Sequence, residues 1–141
     1  MPAIQFFEED ISYKLKNKTL VRQWIKDTII AEGFKLKELI YVFCSDAYLL
    51  PMNQQYLDHD TYTDIITFDN SEVEGDIIGD VFISVERVRE NAAKFNIPEI
   101  DELHRVIIHG ALHLLGYTDK TVVTKKKMTQ KEDEYLAKRN F

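Results

Sequence analysis

The sequence predicts an α+β fold in a single domain, and three observations carry that reading. Short runs rich in aromatic and β-branched residues, led by ELIYVFCS at 38–45, alternate with segments whose apolar residues recur every three or four positions. The chain has 141 residues, 45% of them hydrophobic, which suits one core. No repeat, low-complexity stretch or linker divides it. The expected sum is about four strands and about five helices over residues 1–141.

Taken in order, residues 4–7 form a short apolar run with β character, followed by the polar Glu8, Glu9 and Asp10. From about 17 to 32, Leu20, Val21, Trp24, Ile25, Ile29 and Ile30 recur at helical spacing, and Gly33 stands where a helix should end. Residues 38–45 are continuously apolar, as expected of a central strand covered on both faces. Ser45 and Asp46 can cap a helix, which Pro51 should limit, with helix resuming over 52–56. A third strand is expected at 64–68 and a fourth at 80–83. Between them lies the acidic stretch NSEVEGDIIG, whose Asp69, Glu72, Glu74 and Asp76 lack the spacing of a calcium loop and read as a solvated hairpin connection. Ser84 should cap a helix carrying Val85, Val88, Ala92 and Phe95 on one face, ended by Asn96 and Pro98. A helix over about 98–115 follows, and a last one over about 122–139 should turn Met128, Tyr135 and Leu136 inward and its lysines outward.

Composition narrows the function. The first residues lack a basic start with a long apolar run, and no stretch approaches the ~18 apolar residues of a membrane helix, so a soluble, cytoplasmic protein with no membrane partner is expected. Cys44 is the one cysteine; it has no disulfide partner in the chain and reads as a buried thiol, in keeping with a reducing compartment. A net charge of −6 argues against a broad basic surface, so any RNA contact must be local or assisted by a metal.

Three of the four histidines fall in HRVIIHGALHLLGYTDK, residues 104–120. His109 and His113 are four apart and project from one side of the expected helix, a turn from each other, where they can grip one ion. On a helical wheel Ile100, Leu103, Ile107, Ala111 and Leu114 share one direction, and the two histidines point roughly 120° away from it. A pair of histidines at a helix C-terminus can also simply complement the helix dipole, and the pair alone does not choose between these readings. Gly116 stops the helix, and Asp119 beyond it can present a carboxylate to the same ion. Three protein ligands with a fourth position left for water is the layout of a catalytic metal site.

These residues resemble a known family. His109-Gly110-Ala111-Leu112-His113-Leu114-Leu115-Gly116-Tyr117 is similar to the HGxLHLxGYDH signature of the YbeY family, the bacterial rRNA maturation factors described as metal-dependent endoribonucleases. Asn53 and Tyr56, Thr63-Asp64 with Phe68, Gly79-Asp80 with Ile83-Ser84, and Glu102 with His104 also fall in the family's order and approximate spacing, so the likeness covers about residues 40–119. It implies a mixed sheet packed by helices with the metal at a cleft. Partners would be ribosomal RNA and the small ribosomal subunit, in rRNA maturation and ribosome quality control. The implied ligands are His109, His113 and Asp119, holding a divalent metal, zinc first, and the implied nucleophile is a metal-bound water. No general base is named by the sequence.

Two positions depart from the signature. Asp119 stands where the family has a third histidine, and Thr118 where it has an aspartate. Carboxylate oxygen is an acceptable ligand at ~2.0–2.2 Å and makes the site harder, which widens the choice to manganese or magnesium. A shifted alignment instead puts Lys120 at the ligand position. Leu57 replaces an arginine that follows the tyrosine matched by Tyr56, so a phosphate-binding charge is missing there. Arg105, four residues before His109, is a possible phosphate contact in its place, against the plainer reading of a solvated helix arginine.

The other polar candidates are assigned lesser parts. His104 points away from the His109 and His113 side and reads as a structural group. Glu102 is too far along the helix from His109 for ligation, and His59 reads as a solvated loop residue. Lys125, Lys126, Lys127 and Lys131 could meet an RNA backbone, although a solvated helix face is the commoner meaning. Three functions follow: a metal-dependent endoribonuclease; a non-catalytic ribosome-assembly factor with a structural or vestigial metal site; and, less favoured, a zinc peptidase, whose base glutamate is replaced by Gly110.

Overall fold

The structure, a computed structural model, describes residues 2–57 and 61–141. Its elements in chain order are β1 (Ile4–Glu8), α1 (Lys18–Ala31), β2 (Lys35–Cys44), α2 (Asp46–Leu57), β3 (Ile65–Asp69), β4 (Asp76–Ser84), α3 (Val85–Phe95), α4 (Glu99–Leu114) and α5 (Val122–Leu136). The strands form one sheet in the order β1-β2-β4-β3. β1, β2 and β4 are parallel, and β3 joins β4 antiparallel through a hairpin, so the sheet is mixed as expected. Parallel neighbours need long crossovers, which α1 supplies from β1 to β2 and α2 with β3 supplies from β2 to β4.

The larger core lies on one face. α1 buries Val21, Trp24, Ile25 and Ile29, and α4 buries Leu103, Ile107, Ile108, Ala111 and Leu112, against Leu39, Tyr41 and Phe43 of β2 and Val81 and Ile83 of β4. The Tyr41 hydroxyl donates to the carbonyl of Ile107 at 2.9 Å, which fixes α4 along the sheet. On the opposite face Cys44 and Ile66 pack under Leu49 of α2, flanked by Phe68 and Phe82. β2 is therefore covered on both sides at its C-terminal end, the reason its sequence does not alternate there. Burial, with Asp10, Asp46 and Glu9 nearby, pushes the Cys44 thiol up to about 12. No helix among the described residues is long and apolar enough to cross a membrane.

Several expectations are corrected. Pro51 does not split α2, which runs unbroken through it. The proline forfeits one backbone bond, while the burial of Leu49 and Asn53, one turn apart on the sheet side, anchors the helix regardless. β4 begins at Asp76, not 80, because Ile77 and Ile78 extend it beside the first half of β2, which itself begins at Lys35. Phe95 is 58% exposed and Ile100 39% exposed, so α3 buries only Val85, Val88 and Ala92, and the buried stripe of α4 starts at Glu102 and Leu103. Leu20 and Ile30 of α1 are likewise exposed, and α5 ends at Leu136.

Candidate metal centre

α4 positions the histidines through a glycine. A Cβ at Gly110 would meet Ile65 Cδ1 and Val81 Cγ1, each at 2.9 Å, so the helix rests its backbone on β3 and β4 at that point. Successive residues turn by about 100°. With Gly110 facing the sheet, His109 and His113 are directed to the flank of the helix, beside the outer edge of β3. Position 110 thus faces the sheet and not the cleft, and as a glycine it offers no carboxylate to act as the base of a zinc peptidase.

The chain beyond α4 turns back on itself. Gly116 adopts φ +105°, a left-handed conformation that favours glycine, and the N–H groups of Gly116 and Tyr117 donate to the carbonyls of His113 and Leu112 at 3.1 and 3.2 Å. The Tyr117 hydroxyl then donates to Glu32 Oε1 at 2.5 Å, tying the turn to the end of α1. Glu32 also accepts from Lys131 at 3.1 Å and from the Tyr135 hydroxyl, both on α5. These bonds hold its carboxyl below the ordinary range against the opposing effect of burial. So anchored, the turn brings Asp119 Oδ2 to 3.6 Å from His109 Nε2.

His109 is gripped on its other nitrogen as well. Nδ1 lies 2.6 Å from Oε2 of Glu132 on α5, and Oε1 of the same carboxylate accepts from Arg105 at 2.8 Å. Burial disfavours the charged imidazole of His109, but Glu132, Asp119 and Asp64 outweigh it and raise its proton affinity above the ordinary value. The His113 ring stacks beside it, centroids 6.4 Å apart and planes within 11°. Burial and the neighbouring His109 lower the proton affinity of His113 against the opposing effects of Asp119 and the Tyr117 backbone, and its buried Nδ1 has no well-formed hydrogen bond.

These groups line an open cleft of about 690 Å³ bounded by α4, the residues from Thr61 to Thr67, the turn at Asp119 and Lys120, and Glu132. Asp64, Glu102, Asp119 and Glu132 bring carboxylates to it. Burial, then the carboxylates around it, raise Asp64 despite His109, and burial followed by Asp64 raises Glu102. Among the described residues, no three histidine, cysteine or carboxylate side chains stand close enough together to form a ready coordination set.

The remaining candidates are distributed as follows. Arg105 lines the cleft, but its guanidinium is engaged by Glu132 at 2.8 Å and Asp133 at 2.6 Å. Glu102 also lines the cleft and is buried. His104 faces the other way, packed between Trp24 and Phe141 and accepting from Arg139 at 2.7 Å. His59 lies outside the described residues. Lys131 pairs with Glu32, while Lys125, Lys126 and Lys127 are exposed. The residue that sequence reasoning missed is Glu132. A signal was present, because it sits four after Met128 and three before Tyr135, an acid on the buried face of α5.

The chain matches the family model for endoribonuclease YbeY over residues 3–140. It belongs to the YbeY family. An endoribonuclease YbeY of Cytophaga hutchinsonii is 53% identical over 139 residues, covering 99% of this chain and 97% of that one. Similar YbeY proteins of Amoebophilus asiaticus and Flavobacterium psychrophilum are 44% and 47% identical, covering 94% and 92% of this chain and 90% and 92% of their own lengths. In three dimensions the YbeY chain resembles the solution structure of TM1509 from Thermotoga maritima, with a TM-score of 0.63 at 28% identity, covering 94% of this chain and 86% of that one.

Proposed function

We propose that this YbeY protein is a metal-dependent endoribonuclease acting on ribosomal RNA in maturation and quality control of the small ribosomal subunit in the cytoplasm. The observation that carries the reading is the placement of His109, with Nδ1 on Glu132 at 2.6 Å and Nε2 facing Asp119 at 3.6 Å, and with His113 stacked beside it at the mouth of the cleft. Two imidazoles and a carboxylate that line one cleft suit a divalent ion. His109, His113 and Asp119 would hold zinc, with manganese or magnesium as alternatives suited to the oxygen ligand. When bound, such an ion lowers the pKa of water and polarises a phosphoryl oxygen.

The rest of the work falls to the protein. Glu132 fixes the ring of His109 so that Nε2 faces the cleft, and Arg105 keeps that carboxylate paired. Asp64 and Glu102, with raised proton affinity, can accept a proton within the cleft. The acidic lining repels RNA until a cation offsets it, which couples substrate binding to the metal.

A second reading, a non-catalytic assembly factor, draws support from Leu57 at the position of the family's arginine and from the engagement of Arg105 by two carboxylates. Metal analysis with RNA cleavage by the wild type and Asp119→Ala separates the two. The expected result is near-stoichiometric divalent metal and cleavage in the wild type, both lost in the variant. Full metal with no cleavage of rRNA by the wild type would favour the assembly factor.

A further inference from the structure

β3 is an edge strand, and its edge is a wall of the cleft. The lining residues run from Thr63 to Thr67 without a gap. A strand meeting the cleft with one face would contribute alternate residues, so the backbone edge itself must face it. Both faces of β3 are covered, Ile65 lying against Gly110 of α4 and Ile66 packing under Leu49 of α2.

The pairing with β4 fixes which backbone groups point outward. The N–H of Ser84 donates to the Asp64 carbonyl at 2.9 Å and that of Asn70 to the Ile78 carbonyl at 2.8 Å, so the even-numbered residues of this ladder exchange bonds with β4, Ile66 opposite Phe82 among them. The N–H groups of Ile65 and Thr67 therefore project from the free edge, and neither has a partner among the described residues. Two residues of strand separate these donors by about 6.8 Å, comparable with the step between successive phosphates of an extended strand.

We propose that the outer edge of β3 is a binding track for single-stranded RNA, with the N–H groups of Ile65 and Thr67 donating to non-bridging oxygens of successive phosphates. The inference rests on the endoribonuclease reading and adds where the substrate strand lies. Backbone N–H groups are ordinary phosphate donors. Of the two cationic side chains on the cleft among the described residues, Arg105 is tied to Glu132 and Asp133, which leaves Lys120 at the turn as the other charged donor beside the strand edge. An extended peptide adding to the sheet would need carbonyl acceptors as well as donors. At Ile65 the carbonyl already accepts from the Thr63 hydroxyl at 3.3 Å, so a peptide strand would have to share that acceptor, whereas the N–H has no partner among the described residues.

The test uses Thr67→Pro, which deletes the outward N–H at a position making no ladder bond and is compatible with an edge strand, beside Thr67→Val, which keeps it. Binding of a fluorescent 2′-O-methyl oligouridylate with ordinary phosphodiester linkages, which resists cleavage and keeps both non-bridging oxygens, to the full chain in the presence of zinc is followed by anisotropy. Loss of one charge-assisted bond should weaken Thr67→Pro by about tenfold, with Thr67→Val close to wild type. Amide hydrogen exchange on the wild type gives an independent reading that does not depend on the proline variant folding: the oligonucleotide should slow exchange at Ile65 and Thr67. Undiminished binding by a folded Thr67→Pro, or no protection of those amides in an RNA complex, overturns the track while leaving the nuclease reading intact. A wild type that cleaves no RNA and binds none overturns both. Protection by an unstructured peptide and not by RNA would assign the edge to a protein partner.

Discussion

Nδ1 of His109 and Oε2 of Glu132 stand 2.6 Å apart, so the last helix fixes a ring supplied by the helix before it. A carboxylate on the far nitrogen of a histidine ligand sets its tautomer and strengthens it as a donor. Glu132→Gln is expected to keep the fold and lower metal affinity roughly 10- to 100-fold, measured by competition with a chromophoric chelator. Unchanged affinity would reduce Glu132 to a partner of Arg105.

Asp119→His restores the ligand type of the family signature. Retained metal is expected, with the preference shifted from manganese towards zinc because imidazole is the softer donor. Elemental analysis after equilibration with both ions reads the shift, and loss of metal would mean that the turn places a carboxylate where a ring does not fit.

Gly110→Ala puts a methyl group 2.9 Å from Ile65 and Val81. Overpacking of this kind costs roughly 1–3 kcal/mol, and a fall in Tm on thermal unfolding is the expected result. A variant as stable as the wild type would show that α4 can lift from the sheet freely.

His104 governs part of the acid sensitivity. Burial, reinforced by the Arg139 guanidinium at Nδ1, brings its pKa down to about 4, whereas the unfolded chain protonates near the ordinary 6.5. Between those values the unfolded state binds the extra proton. The stabilisation is therefore fully present above about pH 6.5, declines as the pH falls, and is gone below about 4, a change of up to about 3 kcal/mol. Urea unfolding at stepped pH should show His104→Phe with a flatter dependence over this window; an identical slope would remove His104 from the account.

What the sequence revealed depended on how local the cause was. The i, i+4 spacing of His109 and His113, the Ser84 cap and the Asn96 stop are decided within a turn or two, and each stands in the structure where it was expected. Ser84 Oγ accepts from the Arg87 N–H at 3.2 Å, and Asn96 takes the left-handed conformation at φ 56°. Pro51 and the start of β4 were misjudged because distant packing overrode the local signal, Leu49 and Asn53 burying one and β2 recruiting the other. Glu132 lay beyond reach for a related reason. Its place on the buried face of α5 was readable, but not that it would meet a histidine 23 residues earlier.

The Glu32 clasp bears on how far the site can be transplanted. Its cleft is lined by residues between Asn53 and Glu132, yet the turn carrying Asp119 is moored to a residue at the end of α1. A fragment starting after α1 would retain the signature and lose the mooring, and the same eleven letters grafted onto another helix would arrive without it. In this protein the motif is only the visible part of a device whose fixed point lies 85 residues upstream of Tyr117.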